Sequence, residues 1–453
     1  MLDYIKRLYH GRQYGYKVLF RNHDRKITGK PGIILADIGM PEGFDTSFYT
    51  NFMEHVFKYV LPRFIQPLVL ASRGLALIDP RNPLAREKFK PAQLVDMYGS
   101  FTNREGKPYV ECDVRWRPPG IKKNPDDLGY FLYRGDGSPG VPDICQKTAA
   151  KVAGWYFGHL LPERKVPWAH QCRQVFLEAS AALKEHFPDA EICHAKYTYK
   201  DSLAESVEKL LDKGCKTIIY QCFSNPVYTD FEEYAVIFPG LHRMVGGRAK
   251  LIFADQPGNQ APMRRAFTEL AADRLEKLPG DASILLILSR HGHPFRKETG
   301  DHRGEAYRQS LEKEMRELMQ KREGRWHLVW SDDEYADEYW DRRGRKLSTL
   351  DAYRKAISEG YDYALEIPTD FIAENTDLMI LHAMKKFTAF HDYDKFAPIL
   401  YPDWEKPLER VFNNSSTTGI YAGCPVGKYR KHIVEAIKDS LIEIRDNPVP
   451  IKP

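Results

Sequence analysis

Residues 284–301 read ILLILSRHGHPFRKETGD. An unbroken apolar run of strand length stops abruptly at a loop carrying two histidines, a glycine and a proline. A run without polar alternation, closed by turn residues, suits a strand buried on both faces, as in a parallel sheet covered by helices. The neighbouring sequence repeats this grammar. Strands are expected at 250–254, 282–289, 326–330 and 361–367, alternating with helices at 261–278, 303–322, 349–358 and 375–387. Upstream, a first series has strands at 32–39 (GIILADIG), 190–195 and 216–222, with helices at 143–161, 173–187 and 202–212. Alternating strands and helices predict an α/β fold of two Rossmann-like units, each a parallel sheet flanked by helices.

The expected organisation is an extension at 1–30, a first unit at 31–245, a second at 246–391 and a tail at 392–453. A stretch at about 75–130, rich in charge, proline and glycine, reads as an insertion in the first unit. The tail ends in a helix expected at 428–446, packing back on the body. EKLLDKGCKTIIY (208–220) and RKAISEGYDYALE (354–366) share a helix stopped at glycine and then a strand. That echo fits either a duplication or the common grammar of such units.

At 453 residues and 43% hydrophobic content the chain is globular. No apolar run reaches the roughly 18–20 residues that span a bilayer, and the start lacks a signal-peptide core, so a cytoplasmic protein is expected. Seven cysteines, scattered and without CxxC, argue against a disulfide framework or a zinc knuckle. A net charge of +5, from 67 basic and 62 acidic residues, is too balanced for a nucleic-acid binder and mildly favours an acidic ligand.

In open parallel sheets, ligands bind at the carboxyl ends of the strands. SRHGHP lies at such an end, where Gly292 lets the backbone turn and Pro294 stiffens the exit behind His291. A neutral imidazole is both a base and a metal ligand near pH 7, although a loop histidine can equally cap a helix. Glu374 and Asp377, three apart after the strand YALEIP, fit one face of a helix start, as partners of the histidine or as charges on the helix dipole. WSDDEYADEYW (330–340) places two tryptophans around an acidic run, which suits a lined cavity.

Taken in order, these segments resemble the ferrochelatases, over most of 32–382. GIILADIGMP resembles the family's opening strand, with Asp37 in place of the usual asparagine and Ile38 where an apolar residue faces the macrocycle. GDGSP (135–139) resembles GGGSP and brings in Ser138. KYTYKDSLAESV (196–207) resembles the RYxxPxTEEAI segment, so Lys196 and Tyr197 would meet the ring. SRHGHP resembles SAHSLP, which aligns His291, rather than His293, with the catalytic histidine. LVWSDDEYADEYW places Trp340 near an active-site tryptophan. PTDFIAENTDL resembles PIAFxSDHIETL, with Glu374 on an acidic residue and Asp377 on the catalytic glutamate.

The resemblance implies insertion of a divalent metal, ferrous iron above all, into a tetrapyrrole without an organic cofactor. His291, Asp377 and Glu374 would act on the metal and the ring protons, and Ile38, Ser138, Lys196, Tyr197 and Trp340 would hold the ring. It also allows a peripheral contact with a membrane surface. Asp377 is one methylene shorter than glutamate, Asn375 replaces a histidine, and Leu381 interrupts the acidic line. Cys424 alone supplies no iron–sulfur ligand set, so no cluster is expected. Two alternatives stay open: cobalt or nickel insertion into a sirohydrochlorin-type ring, and a non-catalytic carrier of tetrapyrrole or metal.

Overall fold

The computed structural model describes residues 24–39, 76–77, 132–133, 168–197, 200–227, 233, 237–291, 303–332, 347–374, 408–411 and 415–448. Ser138, His293, Trp340, Asn375, Asp377, Leu381 and the helices expected at 143–161 and 375–387 lie outside them. Among the described residues the chain forms two mainly parallel sheets.

The first sheet comprises β1 (Pro31–Asp37), β4 (Glu191–Lys196), β5 (Thr217–Cys222) and β6 (Lys250–Phe253), in spatial order β4-β1-β5-β6 and parallel throughout. The second comprises β7 (Ile284–Arg290), β8 (Trp326–Asp332), β9 (Tyr363–Pro368) and β11 (Thr418–Tyr421), in order β11-β9-β7-β8. These four are parallel, and β10 (Leu408–Val411) joins the β11 edge antiparallel. The continuous apolar runs behave as expected: Ile33, Ile34 and Leu35 of β1 and Ile284–Leu288 of β7 are fully buried.

By order of appearance along the chain, the parallel strands of both sheets stand second, first, third, fourth. This shared order is a common one for doubly-wound sheets, so it fits both the duplication and the common-grammar reading. Each sheet reverses its winding between its first and third strands, β1/β5 and β7/β9, and such a switch point opens a crevice at the carboxyl ends. β1 and β7 are both seven residues long, so Ile38 and His291 hold matching places one residue past their strands.

Two expectations are corrected. Strand Lys250–Phe253, read as opening the second series, closes the first sheet against β5. The tail adds β10 and β11 to the second sheet as well as a helix. The alternation of strand and helix is the same on either side of a sheet boundary, so the pattern does not mark where one sheet stops. At the insertion, β2 (Ala76–Leu77) and β3 (Leu132–Tyr133) pair antiparallel and bring its two ends together.

Helix α1 (Trp168–His186) buries Trp168, Cys172, Val175, Ala179 and Leu183, a single apolar stripe at helical spacing. Along the chain follow α2 (Lys200–Asp212), α3 (Phe238–Val245), α4 (Ala261–Leu275), α5 (Arg303–Met319) and α6 (Thr349–Ser358). The C-terminal helix α7 (Arg430–Asp446) packs against both α1 and α4. The start of α6 is capped by Ser348, whose hydroxyl accepts from the Asp351 backbone N–H at 3.0 Å. Ser348→Ala is therefore expected to cost about 1 kcal/mol in urea unfolding; an unchanged midpoint would show that the cap contributes nothing. The five cysteines among the described residues are free and buried, and no described helix is long and apolar enough to cross a membrane.

Candidate functional site

The site is built where the carboxyl ends of the two sheets meet. On the first sheet, β1 ends at Asp37, whose side chain is almost fully buried. Its carboxylate accepts from Trp168 Nε1 at 3.1 Å, from His194 Nε2 at 2.6 Å and from the Gly39 backbone N–H. Gly39 adopts a φ of 83°, and a Cβ there would collide with the Lys196 side chain, so only glycine turns the chain this closely past β4. The Asp37 carbonyl, accepting from the Tyr197 backbone N–H at 2.9 Å, ties the end of β4 to β1. Ile38 and Tyr197 are buried and Lys196 half-buried at these strand ends.

On the second sheet, His291 directly follows β7. Its backbone N–H donates to Asp370 Oδ2 at 3.0 Å, and its half-exposed ring stands edge-on to Phe371, centroids 5.9 Å apart. Asp370 Oδ1 is sealed from solvent and has no hydrogen-bond partner among the described residues. Enclosure pushes the Asp370 carboxyl upward, opposed by the nearby Arg308 and Arg290 guanidinium groups. Arg290 itself pairs with Asp332 at the end of β8. Deeper in the sheet, the buried carboxylate of Glu366 accepts from Ser289 Oγ at 2.6 Å and Tyr353 Oη at 2.9 Å.

Glu374 lies on the segment after β9, but its carboxyl turns toward the end of β11. There it accepts from the Cys424 backbone N–H at 2.6 Å and from Tyr421 Oη at 3.2 Å. Burial pushes this carboxyl up to about 7, against the pull of those donors. Its own backbone N–H donates to Gln171 Oε1 of α1 at 3.0 Å.

The two halves join at the first turn of α1. Trp168, bonded to Asp37, meets the edge of Phe371 at 6.2 Å. Nearby, the Ile372 backbone N–H donates to the Ser224 carbonyl at 3.2 Å, just past β5. A continuous series of contacts therefore runs from His291 through Phe371, Trp168 and Asp37 to His194. The chain is a two-sheet α/β protein with its switch points facing each other.

No protein-family model and no curated protein matches the sequence. Among solved structures, the chain is similar to SirB from Bacillus subtilis with Fe3+, at 12% identity and a TM-score of 0.37, over 61% of this chain and 92% of that one. It is also similar to GanP, a glucose-galactose binding protein from Geobacillus stearothermophilus, at 12% identity and a TM-score of 0.26, over 62% and 88%. A sugar transporter from Clostridium phytofermentans follows at 15% identity and 0.20, over 44% and 65%. Likenesses this distant decide nothing about the ligand.

The structure thus places Ile38, Lys196 and Tyr197 at the ends of β1 and β4, His291 at the end of β7, and Glu374 behind β9 with its carboxyl bonded elsewhere. Among the described residues, no group of three or more His, Cys, Asp or Glu side chains could hold a metal ion. Sequence reasoning passed over Trp168, His194 and Asp370. A histidine inside the strand EICHAK was the available signal for His194; nothing local marks Trp168 or Asp370.

Proposed function

We propose that the protein inserts a divalent metal into a tetrapyrrole, with His291 as the imidazole that meets the metal and the ring nitrogens. The observation that carries this reading is positional. Of the ferrochelatase-like residues among the described ones, Ile38, Lys196, Tyr197 and His291 stand at carboxyl ends of strands beside the two switch points, while the Glu374 carboxyl is bonded to the segment after β11.

The chemistry asks for three things. Two pyrrole N–H protons must leave, the flat ring must deform, and the metal must exchange water for ring nitrogens. A neutral imidazole serves the first and the last, as a base and as a ligand. Pinned through its backbone by Asp370 and edge-on to Phe371, His291 is aimed with little conformational freedom left to lose. Ile38 and Tyr197 offer apolar surface to the ring, with Ser138 and Trp340 as further ring contacts, and Lys196 offers a cation for a ring carboxylate. Asp377 is the proposed carboxylate partner of His291 at the metal. Glu374, whose oxygens already receive two donors, from Cys424 and Tyr421, is less free to meet the metal.

Iron is the first metal to test, and cobalt or nickel with a sirohydrochlorin-type ring is the second reading, favoured by the shortened Asp377. The test incubates purified protein with free-base protoporphyrin or sirohydrochlorin and with Fe2+, Co2+ or Ni2+ under anaerobic conditions, following the absorbance change of metallation. One pair is expected to metallate well above the protein-free rate. Tight ring binding with no acceleration for any pair would make the protein a carrier and end the enzymatic reading.

A further inference from the structure

His194 lies outside every segment that resembles the ferrochelatases, yet it is held as a working imidazole is held. The ring lies stacked on Phe176, centroids 4.6 Å apart and 12° from parallel, with Phe223 tilted against it at 5.9 Å. Phe223 directly follows β5 and Asp37 ends β1, so the imidazole, carried by the edge strand β4, lies against the carboxyl ends of both neighbouring strands. Nε2 faces Asp37 Oδ2 at 2.6 Å. A carboxylate only accepts, so Nε2 carries the hydrogen and the lone pair of the neutral ring is on Nδ1.

Asp37 cannot turn away from this task. Trp168 Nε1 and the Gly39 backbone N–H fix its other oxygen. Nδ1 has no hydrogen-bond partner among the described residues and is not among the atoms sealed from solvent, and the side chain is 21% exposed. An aspartate behind one nitrogen, aromatic rings on the faces and a lone pair left open is the arrangement that orients a base and stabilises the imidazolium formed when it takes a proton.

We infer that His194, oriented by Asp37, is a second proton acceptor of the crevice, taking an N–H proton of the bound ring at Nδ1. This rests on the tetrapyrrole reading. The balance is simple: the pyrrole N–H bond breaks, the proton moves to Nδ1, and the electron pair stays on the ring nitrogen for the incoming metal. Asp37 then faces a positive imidazolium. With His291 on the other sheet, each of the two departing protons has an imidazole to receive it.

His194→Gln tests this, because its amide can still donate to Asp37 while lacking the basic nitrogen. Metallation by the variant is expected to fall tenfold or more in kcat, with ring affinity, read by fluorescence, within twofold of the parent. A kcat within twofold of the parent would overturn the assignment. If the variant fails to fold, or if the parent metallates no ring, the imidazole 15N signals of the parent protein decide instead. The His194 Nδ1 signal is expected to be that of an unprotonated nitrogen and to move when free-base ring is added. If it stays still while ring binds, or if neither ring binds at all, the inference fails. A moving signal in a protein without turnover would keep His194 as the ring contact and remove only the chelatase reading.

Discussion

His291→Ala is expected to lose metal insertion by about 10²–10⁴-fold, the range that one positioned base or proton donor contributes. Ring binding and stability should stay close to those of the parent, for reasons visible in the structure. The contact that fixes the loop, from the His291 backbone N–H to Asp370, survives the substitution. What is lost from the fold is one edge contact of a half-exposed ring with Phe371, worth about 1 kcal/mol or less. The expected result is therefore a large fall in kcat beside an unchanged melting temperature. Addition of free imidazole should restore part of the rate by occupying the vacated space. Turnover within threefold of the parent would remove the catalytic role, and a parallel loss of ring binding would make His291 a ring contact.

The place of His291 at a strand end was legible because two kinds of pattern coincide there. The apolar run ILLILS reports burial on both faces, and burial on both faces implies a parallel sheet. A parallel sheet places its loops at the carboxyl end, so His291 is located by topology once the strand is. Ile38, Lys196 and Tyr197 came from the family resemblance instead, and they stand at the ends of β1 and β4. The helix expected at 349–358 has the bounds the structure gives, and the structure shows Ser348 capping its start.

Sheet membership was not legible, since hydrogen-bond partners along a strand leave no trace in its own sequence. β11, at four residues, is too short for periodicity to separate from loop, and β6, equally short, was read as a strand but in the wrong series. Contacts between distant positions were equally hidden. His194 reaches Asp37 across 157 residues and Glu374 reaches Cys424 across 50. The sequence around Glu374 suggested a helix start, and the helix expected from Asn375 lies outside the described residues; what the sequence did not show is that the Glu374 carboxyl is received by the segment after β11.

That turn leads to a second large effect. With its carboxyl pushed from 4.5 up to about 7 by burial, Glu374 keeps its proton in the folded protein at pH values where the unfolded chain has released it. Between pH 4.5 and 7 the native state thus binds more protons than the unfolded one, and stability falls as pH rises through this window. The stabilising share is complete below pH 4.5 and gone above 7, and its size is about 3 kcal/mol at about 1.4 kcal/mol per pH unit. Glu374→Gln removes the titration while keeping the contacts. Its amide oxygen can accept from the Cys424 N–H and its amide N–H can donate to Tyr421 Oη, the positions the two carboxyl oxygens now hold. Gly423, with a φ of 81° and a would-be Cβ only 3.1 Å from Oε1, leaves room for that exchange and for nothing larger. Urea unfolding at pH 5 and pH 8 is the measurement. The variant should match the parent at pH 5 and exceed it at pH 8 by up to about 3 kcal/mol, so that the parent alone weakens between the two. If both proteins show the same change with pH, the proton on Glu374 is not held by the fold. If the variant is weaker at both pH values by a similar amount, the carboxyl is ionised in the native state and its bond to Cys424 is the contact that matters.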